Sequence, residues 1–290
     1  MSFLEDITLV IVNYNSRNVI LNSLAPLKTL KNIIVVDNGS TDGSPELIKS
    51  AYSHVRILRL GVNRGFGAGV NQGVRTSDTK YTLVISPDTE FTLGCLKRLY
   101  QEAESDNKAA ILAPSLRVPE YGPELWVKGF NESIHTKANF IADGNFCTWF
   151  ISGAVMLMRN DYFNKIGGFD ENIFLYLEDL DLSIRARAAG FSLIYVPEIE
   201  AIHLNSKSTT PTKRLHWQKN WNFAWSHCYI LNKYQGIGVA RKHALRQIFF
   251  KGLKCLFYIV CCDFKRFIRD FSTTHGSYSF LIGSKPKQLL

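Results

Sequence analysis

"NIIVVDNGSTDGS", residues 32–44, is an apolar, largely β-branched run that stops at Asp37 and Asn38 and gives way to a Gly-rich polar turn. A short continuous apolar run of this kind reads as a strand buried on both faces, the habit of parallel sheets. Upstream, "ITLVIVNYN" (7–15) has the same form, and "SRNVILNSLAPL" (16–27) between the two reads as a helix capped by Asn15 or Ser16. Downstream, "SPELIKSAY" (44–52) offers a Ser cap with Pro at the first helical position. "VRILRL" (55–60) is a third strand, "NRGFGAGVNQGVRTS" (63–77) a Gly-rich turn entering a helix, and "YTLVIS" (81–86) a fourth strand. Strands alternating with helices predict βαβ units: an α/β, Rossmann-like, mostly parallel sheet flanked by helices.

In such sheets ligands bind beyond the carboxyl ends of the strands. Asn13 and Asn15, Asp37 and Asn38, Asn63, and Asp88 fall at those ends. Asn, Asp and Gly are also the ordinary turn residues, which explains any one of them equally well. Their coincidence at four strand ends favours a nucleotide site. "GFGAGVNQG" (65–73) is not the dinucleotide fingerprint, because Val70 stands where the third Gly belongs, and no Gly-Lys-Ser/Thr makes it a P-loop. Its glycines still allow the backbone close to a ligand.

Past residue 110 the pattern loosens. "AAILAPSL" (109–116) reads as a strand, and 117–147, with Trp126, as loop, hairpin or lid. "WFISGAVMLMRNDYFNKIGGFDENIF" (149–174) reads as strand, short helix and Gly-Gly turn. In "YLEDLDLSIRARAAGF" (176–191), Leu177, Leu180, Ile184 and Ala188 share a helical face, with Gly190 as the terminal cap. Glu178, Asp179 and Asp181 then lie in the first turn. The helix dipole favours acids there, and Asp181 can pair with Arg185. A carboxylate set among aromatic and apolar side chains can instead have a raised pKa and act as a base. "SLIYVP" (192–197) is a last strand, and His203 falls where a loop begins. A lone histidine near an apolar run is more often structural than a ligand.

The charge is uneven. Residues 1–200 carry 19 Lys/Arg and 23 Asp/Glu, whereas 201–290 carry 15 and 2, which accounts for the net +9 of the 290-residue chain. A mildly acidic body therefore bears a basic appendage. Six cysteines form no C-x-x-C pair. The vicinal Cys261-Cys262 reads as small hydrophobes packed in an apolar run, and the usage suits a reducing compartment. "MSFLEDITLVIVNYNS" (1–16) lacks a positive n-region, so no secretory signal is expected. No apolar stretch reaches the roughly 18 residues a spanning helix needs. Residues 241–290 hold ten Lys/Arg and two Asp among aromatic and aliphatic residues. On a helical projection of 245–268, Gln247, Lys251, Lys254 and Lys265 share one face. That suits an interfacial helix on an anionic membrane, or a basic helix packed on the body or on a second copy. No recognition motif accompanies the charge, so no nucleic-acid partner is expected.

"VIVNYNS", "IIVVDNGSTDGS", "NRGFGAGVNQG", "ISPDT", "ISGAVMLMRNDYFNKIGGFDENIFLYLEDLDLSIRARAAGF" and a following Pro, His and Ser occur in this order. Together they resemble the inverting glycosyltransferases of family 2 with the GT-A fold. The likeness is to the bacterial branch of rhamnosyltransferases that build O-antigen and cell-wall polysaccharide. It covers about residues 6–235, which makes 1–235 the expected GT-A domain and 236–290 a basic helical extension. The resemblance implies transfer of a sugar, L-rhamnose being one candidate, from a dTDP- or UDP-sugar donor to a saccharide or lipid-linked saccharide acceptor. It implies Asn13, Asn15, Asp37, Asn38, Asn63, Gly65 and Asn71 around the nucleotide and Gly153-Ala154 along the donor sugar. Asp88 is implied as the last acid of a D-x-D metal signature and His203 as a further ligand, for Mn²⁺ or Mg²⁺. Asp179, second of the Glu178-Asp179 pair, is implied as the catalytic base. Ser86 replaces the first acid of D-x-D, which leaves any metal on fewer charges, and Glu90 becomes a neighbour in the turn. The implied setting is cytoplasmic, peripheral on the inner face of a bacterial membrane through 241–290, and compatible with an oligomer. Two alternatives stand beside it: a non-catalytic nucleotide-sugar-binding subunit, and a nucleotidyltransferase of similar fold, for which "VNYNSRN" supplies no lysine-rich triphosphate loop.

Overall fold

A computed structural model describes residues 3–119, 122–124, 143–204 and 212–286. The chain forms two compact units. The first comprises Met1–Asn63, Ala68–Phe169 and Asp179–Thr210; the second comprises Arg64–Gly67, Asp170–Glu178 and Pro211–Leu290.

In chain order the elements are β1 (Ile7–Asn13), α1 (Ile20–Leu24), β2 (Asn32–Asp37), α2 (Ser44–Ala51), β3 (Arg56–Arg59) and α3 (Phe66–Arg75). Then come β4 (Tyr81–Ile85), β5 (Thr89–Glu90), α4 (Leu93–Ser105), β6 (Ala109–Val118), β7 (Gly122–Glu124), β8 (Phe146–Cys147) and β9 (Val155–Arg159). Next are α5 (Asn160–Lys165), α6 (Glu178–Ala188), β10 (Ser192–His203), α7 (Lys213–Gln235), α8 (Ile237–Val260) and α9 (Phe264–Leu281).

The sheet of the first unit has the order β3-β2-β1-β4-β9-β6-β10-β5, with β7 on β6 and β8 on β10. The expected parallel ladder is present from β3 to β4: Val10 lies between Ile34 and Val84. β9 enters antiparallel between β4 and β6, so the sheet is mixed. Every residue of β9 is buried, and such a run carries no periodic sign of its direction. One face of the sheet packs Leu9, Ile11, Val35, Leu83 and Leu157 with Leu24, Leu27 and Leu99 from flanking segments. On the other face a Cβ at Gly69 would stand 2.8 Å from Val12, and one at Gly73 2.5 Å from Val10. These glycines, one helical turn apart, let α3 lie directly on β1. At these two positions the Gly-rich motif serves helix-on-strand packing.

Several local expectations are corrected. α1 starts at Ile20 with Val19 before it and no side-chain cap, so neither Asn15 nor Ser16 caps it. Gly43, at φ 73°, precedes α2, and the Ser44 hydroxyl donates to Asp42 instead of capping. β10 does not stop at Pro197. It shifts register between Val196 and Glu200 and continues to His203, which is therefore the end of a strand. On α6 the buried residues are Glu178, Asp181, Leu182, Ser183 and Ala186, while Ala188 is exposed and Leu177 precedes the helix. Asp181 is fully buried because Arg185 neutralises it at 2.7–2.8 Å. Trp126 and most of the segment expected as loop or lid lie outside the described residues.

In the second unit, α7 packs with α8 and α9. A Cβ at Gly276 of α9 would fall 2.4 Å from the Trp221 carbonyl oxygen of α7, so these helices approach to backbone distance. Trp221 donates to His275 Nδ1 at 3.1 Å and Trp225 to the Ser284 carbonyl at 2.7 Å. The 170–178 segment is tied to α7: Asp170 accepts from Tyr229 at 2.9 Å and Lys233 at 2.6 Å, and Ser226 donates to the Leu175 carbonyl at 3.0 Å. Gly65 belongs to this unit and stands against the Phe174 backbone. The second unit takes in α7, α8 and α9. The projected helix 245–268 is two helices, because α8 ends at Val260 and Cys262 turns the chain at φ 55°. Lys251 is consequently drawn to Asp270 of α9 at 2.9 Å, away from the projected basic face. Cys261 and Cys262 are exposed at this turn and are not packed as small hydrophobes.

Candidate functional site

β1 and β2 end together, with Asn13 paired to Asp37 in register. The Asn13 amide nitrogen lies 3.0 Å from Asp37 Oδ1, 3.0 Å from Ser40 Oγ and 2.8 Å from Ser44 Oγ. Asn13 is wholly buried, so its side chain shapes this corner from beneath. The Asn38 N–H donates to the Asn13 carbonyl at 2.8 Å, and the Leu60 N–H to the Asp37 carbonyl at 2.9 Å. Asn15 adopts the left-handed conformation, φ 51°. Its N–H donates to Ser40 Oγ at 3.0 Å, and its Oδ1 accepts from the Thr41 N–H at 2.8 Å. Burial pushes the Asp42 carboxyl up, but hydrogen bonds from the Ser44 hydroxyl and from the Arg17 and Ser44 N–H groups outweigh it and hold it below the ordinary value. Gly39, at φ 82°, lies where a Cβ would stand 3.0 Å from Val62 Cα, which brings the turn against the backbone leading to Asn63. The sequence reading missed Ser40, Asp42 and Ser44. The signal was present: a run of short oxygen-bearing side chains straight after a strand.

On the same edge of the sheet, β4 ends and β9 begins. The Ser86 N–H donates to the Ala154 carbonyl at 2.9 Å. Ser86 Oγ donates to Asp88 Oδ1 at 2.5 Å, and Asp88 is 2% exposed. Thr89 pairs with His203 across β5 and β10, and the Leu204 N–H donates to the Asp88 carbonyl at 2.9 Å. These bonds set His203 Nε2 3.6 Å from Asp88 Oδ1. Glu90, next along β5, is exposed.

The Asp88–His203 pair places a carboxylate beside an imidazole nitrogen, 3.6 Å apart. Among the described residues, no group of three or more His, Cys, Asp or Glu converges as a metal site. His203 Nδ1 is buried without a hydrogen-bond partner among the described residues, so it lacks the acceptor that usually fixes a ligating imidazole. Two such donors fit a divalent cation whose remaining positions are filled by phosphate oxygens and water, a common arrangement for Mg²⁺. The nitrogen donor tilts the set toward Mn²⁺.

Asp179 opens α6. Its Oδ2 accepts from the Gly153 N–H at 3.1 Å and its Oδ1 from the Leu180 N–H at 2.9 Å. Through Gly153, one residue before Ala154, this carboxylate is anchored at the same sheet edge as Ser86 and Asp88. Asn71 is occupied differently. Its amide donates to the Phe169 carbonyl at 2.9 Å and accepts from the Phe169 N–H at 2.8 Å, bracing α3 to the Gly167-Gly168 turn. Gly65 and Glu178 fall in the second unit. There, burial and then the neighbouring Glu178 charge push the Tyr176 phenol up. Tyr176 and Leu177 are consecutive left-handed residues, φ 69° and 70°. Such a pair costs free energy and is found where a site dictates the backbone.

The family described as Glycosyl transferase family 2 matches residues 8–167. The chain is 29% identical over 209 residues to N-acetylglucosaminyl-diphospho-decaprenol L-rhamnosyltransferase of Mycobacterium tuberculosis, covering 61% of this chain and 67% of that protein. It is 26% identical over 217 residues to the low-salt glycan biosynthesis hexosyltransferase Agl10 of Haloferax volcanii, covering 70% and 68%. Among solved structures it resembles a mannosyltransferase from Pyrobaculum calidifontis in complex with GDP-Man and Mn²⁺. The TM-score is 0.56 at 12% identity, covering 95% of this chain and 87% of that one. It also resembles GalNAc-T7 with UDP, GalNAc and Mn²⁺, with a TM-score of 0.54 at 16% identity over 68% of this chain and 42% of that one. The fold is thus the GT-A architecture.

Proposed function

We propose, from the premise that the chain belongs to glycosyl transferase family 2, that it moves a sugar from a nucleotide-sugar donor to a hydroxyl of a saccharide or lipid-linked saccharide acceptor, with inversion. The observation that carries this reading is the gathering of the Asn13–Asp37 corner, Asp88 with His203, and Asp179 on one edge of the sheet. The 13–44 corner receives the nucleotide. Asp37 and Asn38 face it, the Asn15–Thr41 turn borders it, and Asn63 continues its wall. Asn13 holds Asp37 in place, and Asn71 braces α3 to the Gly167-Gly168 turn. Asp88 and His203 would hold the divalent cation, which when bound offsets negative charge on the departing diphosphate.

Asp179 takes the proton of the acceptor hydroxyl as that oxygen bonds to the anomeric carbon and the bond from that carbon to the diphosphate breaks. Hydrogen bonds from the Gly153 and Leu180 N–H groups aim the carboxylate. Attack on the face opposite the leaving group inverts the centre. L-rhamnose is the proposed sugar and a surface polysaccharide the product, because the mycobacterial relative is named for L-rhamnosyl transfer to a diphospho-decaprenol acceptor. Such an acceptor lies in a bilayer, so peripheral contact through 241–290 belongs to the same reading.

The test is Asp179→Asn, assayed by nucleoside diphosphate release from dTDP-rhamnose and UDP-sugars, with donor binding followed by thermal stabilisation. Turnover should fall by about 10²–10⁴-fold, while donor stabilisation stays within about twofold of the parent. Undiminished turnover in this variant removes Asp179 as the base.

A further inference from the structure

We infer that the α8–α9 hairpin is a docking surface for an anionic lipid bilayer and lies in the plane of the interface. The hairpin is inverted relative to a helix pair made for water. α9 buries Asp270, Ser272, Gly276, Ser277 and Ser279. α8 buries Ala240, Ala244 and Cys255. Outward, Phe249, Leu253, Leu256, Phe257 and Val260 recur at helical spacing, and Phe264 continues beyond the turn; these six are 51–84% exposed. In water the apolar stripe turns inward and serines face out. A contiguous exposed apolar face marks an interaction surface, and the reversed arrangement is favourable where the medium outside is itself apolar.

Charge identifies the occupant. Arg241, Lys242, Arg246, Lys254 and Lys265 are exposed on these helices. The acids between 241 and 286 are Asp263 and Asp270. Both are engaged within the hairpin, Asp270 by Lys251 and Arg269 and Asp263 by Arg266. A face that is apolar and uniformly cationic repels a second copy of itself and complements anionic headgroups. Among the described residues no helix is long and apolar enough to cross a membrane, so the contact is interfacial. Lys254, on the α8 flank, reaches the headgroups while its stem stays among the apolar side chains. The surface rests on the transferase reading for its purpose, bringing the sheet-edge site to a lipid-linked acceptor, but its test needs no catalysis.

The test is flotation of the full chain with vesicles of phosphatidylcholine alone and with roughly 30% phosphatidylglycerol. Binding should be at least about tenfold stronger to the anionic vesicles and weaken as salt rises. Leu256→Glu with Val260→Glu should reduce it about tenfold or more. Both side chains are exposed, so helicity and sugar-nucleotide stabilisation should be unchanged. Two results overturn the surface: no binding of the full chain to either vesicle, or a concentration-dependent dimer that the double variant dissolves while vesicles recover nothing. Donor stabilisation without vesicle binding ends the membrane surface and leaves the transferase standing. Vesicle binding without donor stabilisation supports the surface and counts against the transferase.

Discussion

Gly65 and Gly69 stand in one motif and are glycine for different reasons. Gly69 has ordinary helical geometry and is required because Val12 lies where its Cβ would go. Gly65 combines φ 91° with a Phe174 carbonyl oxygen 2.2 Å from the would-be Cβ. That clash is with backbone, and the left-handed conformation adds strain for any L side chain. Gly65→Ala should therefore cost about 3 kcal/mol or more, read as a lower denaturant midpoint with unchanged slope. The same change at Gly61, φ 75° with open space around it, should cost only about 1 kcal/mol. At this scale the sequence was informative about residue type and less so about role. It marked Asn71 and Gly65 as pocket residues. Asn71 also bonds the Phe169 backbone and Gly65 stands against the Phe174 backbone, about 100 residues away, and a one-dimensional pattern cannot show such a partner.

Among the elements, α6 shows where periodicity misleads. Leu180 and Ile184 suggested the inward face, yet Asp181 is wholly buried on the face that also carries Leu182 and Ala186. A hydropathy reading turns a carboxylate outward; pairing with Arg185 allows it inside. Arg185 also donates to the Ile166 carbonyl at 2.6 Å, so one guanidinium joins the helix to the Gly167-Gly168 turn. Arg185→Met, which leaves a buried carboxylate without its cation, should cost about 3–5 kcal/mol. Adding Asp181→Leu should recover much of that loss, and a double-mutant cycle by chemical denaturation measures the coupling. The strands were legible for the opposite reason. β1, β2 and β4 have continuous buried runs, Leu9–Val12, Ile33–Val36 and Leu83–Ile85, and the polar Asn13 and Asp37 come only at the strand ends. The direction of β9 and the length of β10 were not legible, since both depend on which neighbour a strand meets.

On the scale of the whole molecule, the GT-A fold follows from six motifs in order, whereas α7, α8 and α9 carry no such motif and their packing had to be seen folded. Their acid response follows from a pair the motifs do not include. His227 and His243 face each other on α7 and α8 with ring centres 4.4 Å apart, and Phe223 lies edge-on to His227. Burial, and then the His243 charge, push His227 down to about 4. Burial, and then Arg246, lower His243 as well. A histidine depressed in the folded state binds protons less readily than its unfolded counterpart. Its contribution is whole above the unfolded value of 6.5 and is lost as pH falls from there toward about 4. For His227 the loss amounts to about 3 kcal/mol. Asp170, held down to about 2 despite burial by Lys233, Asn172 and Tyr229, loses its contribution only below 3.8. Thermal melting followed between pH 7 and pH 4.5 should show the helical unit weakening first. His227→Gln should flatten that slope without moving the more acid limb.

The pairing of His203 with Thr89 also orders events in time. The side-chain bonds of the 13–44 corner join residues close in the chain. Asp88 must wait for a partner 115 residues further on. At typical synthesis speeds that delay is on the order of 10 seconds. During it the nascent chain carries the 13–44 segment with the Asp88–His203 pair still incomplete. The last strand of the sheet to be synthesised is thus the one that brings His203 to Asp88, and a chain cut short before β10 carries the 13–44 corner without that pair.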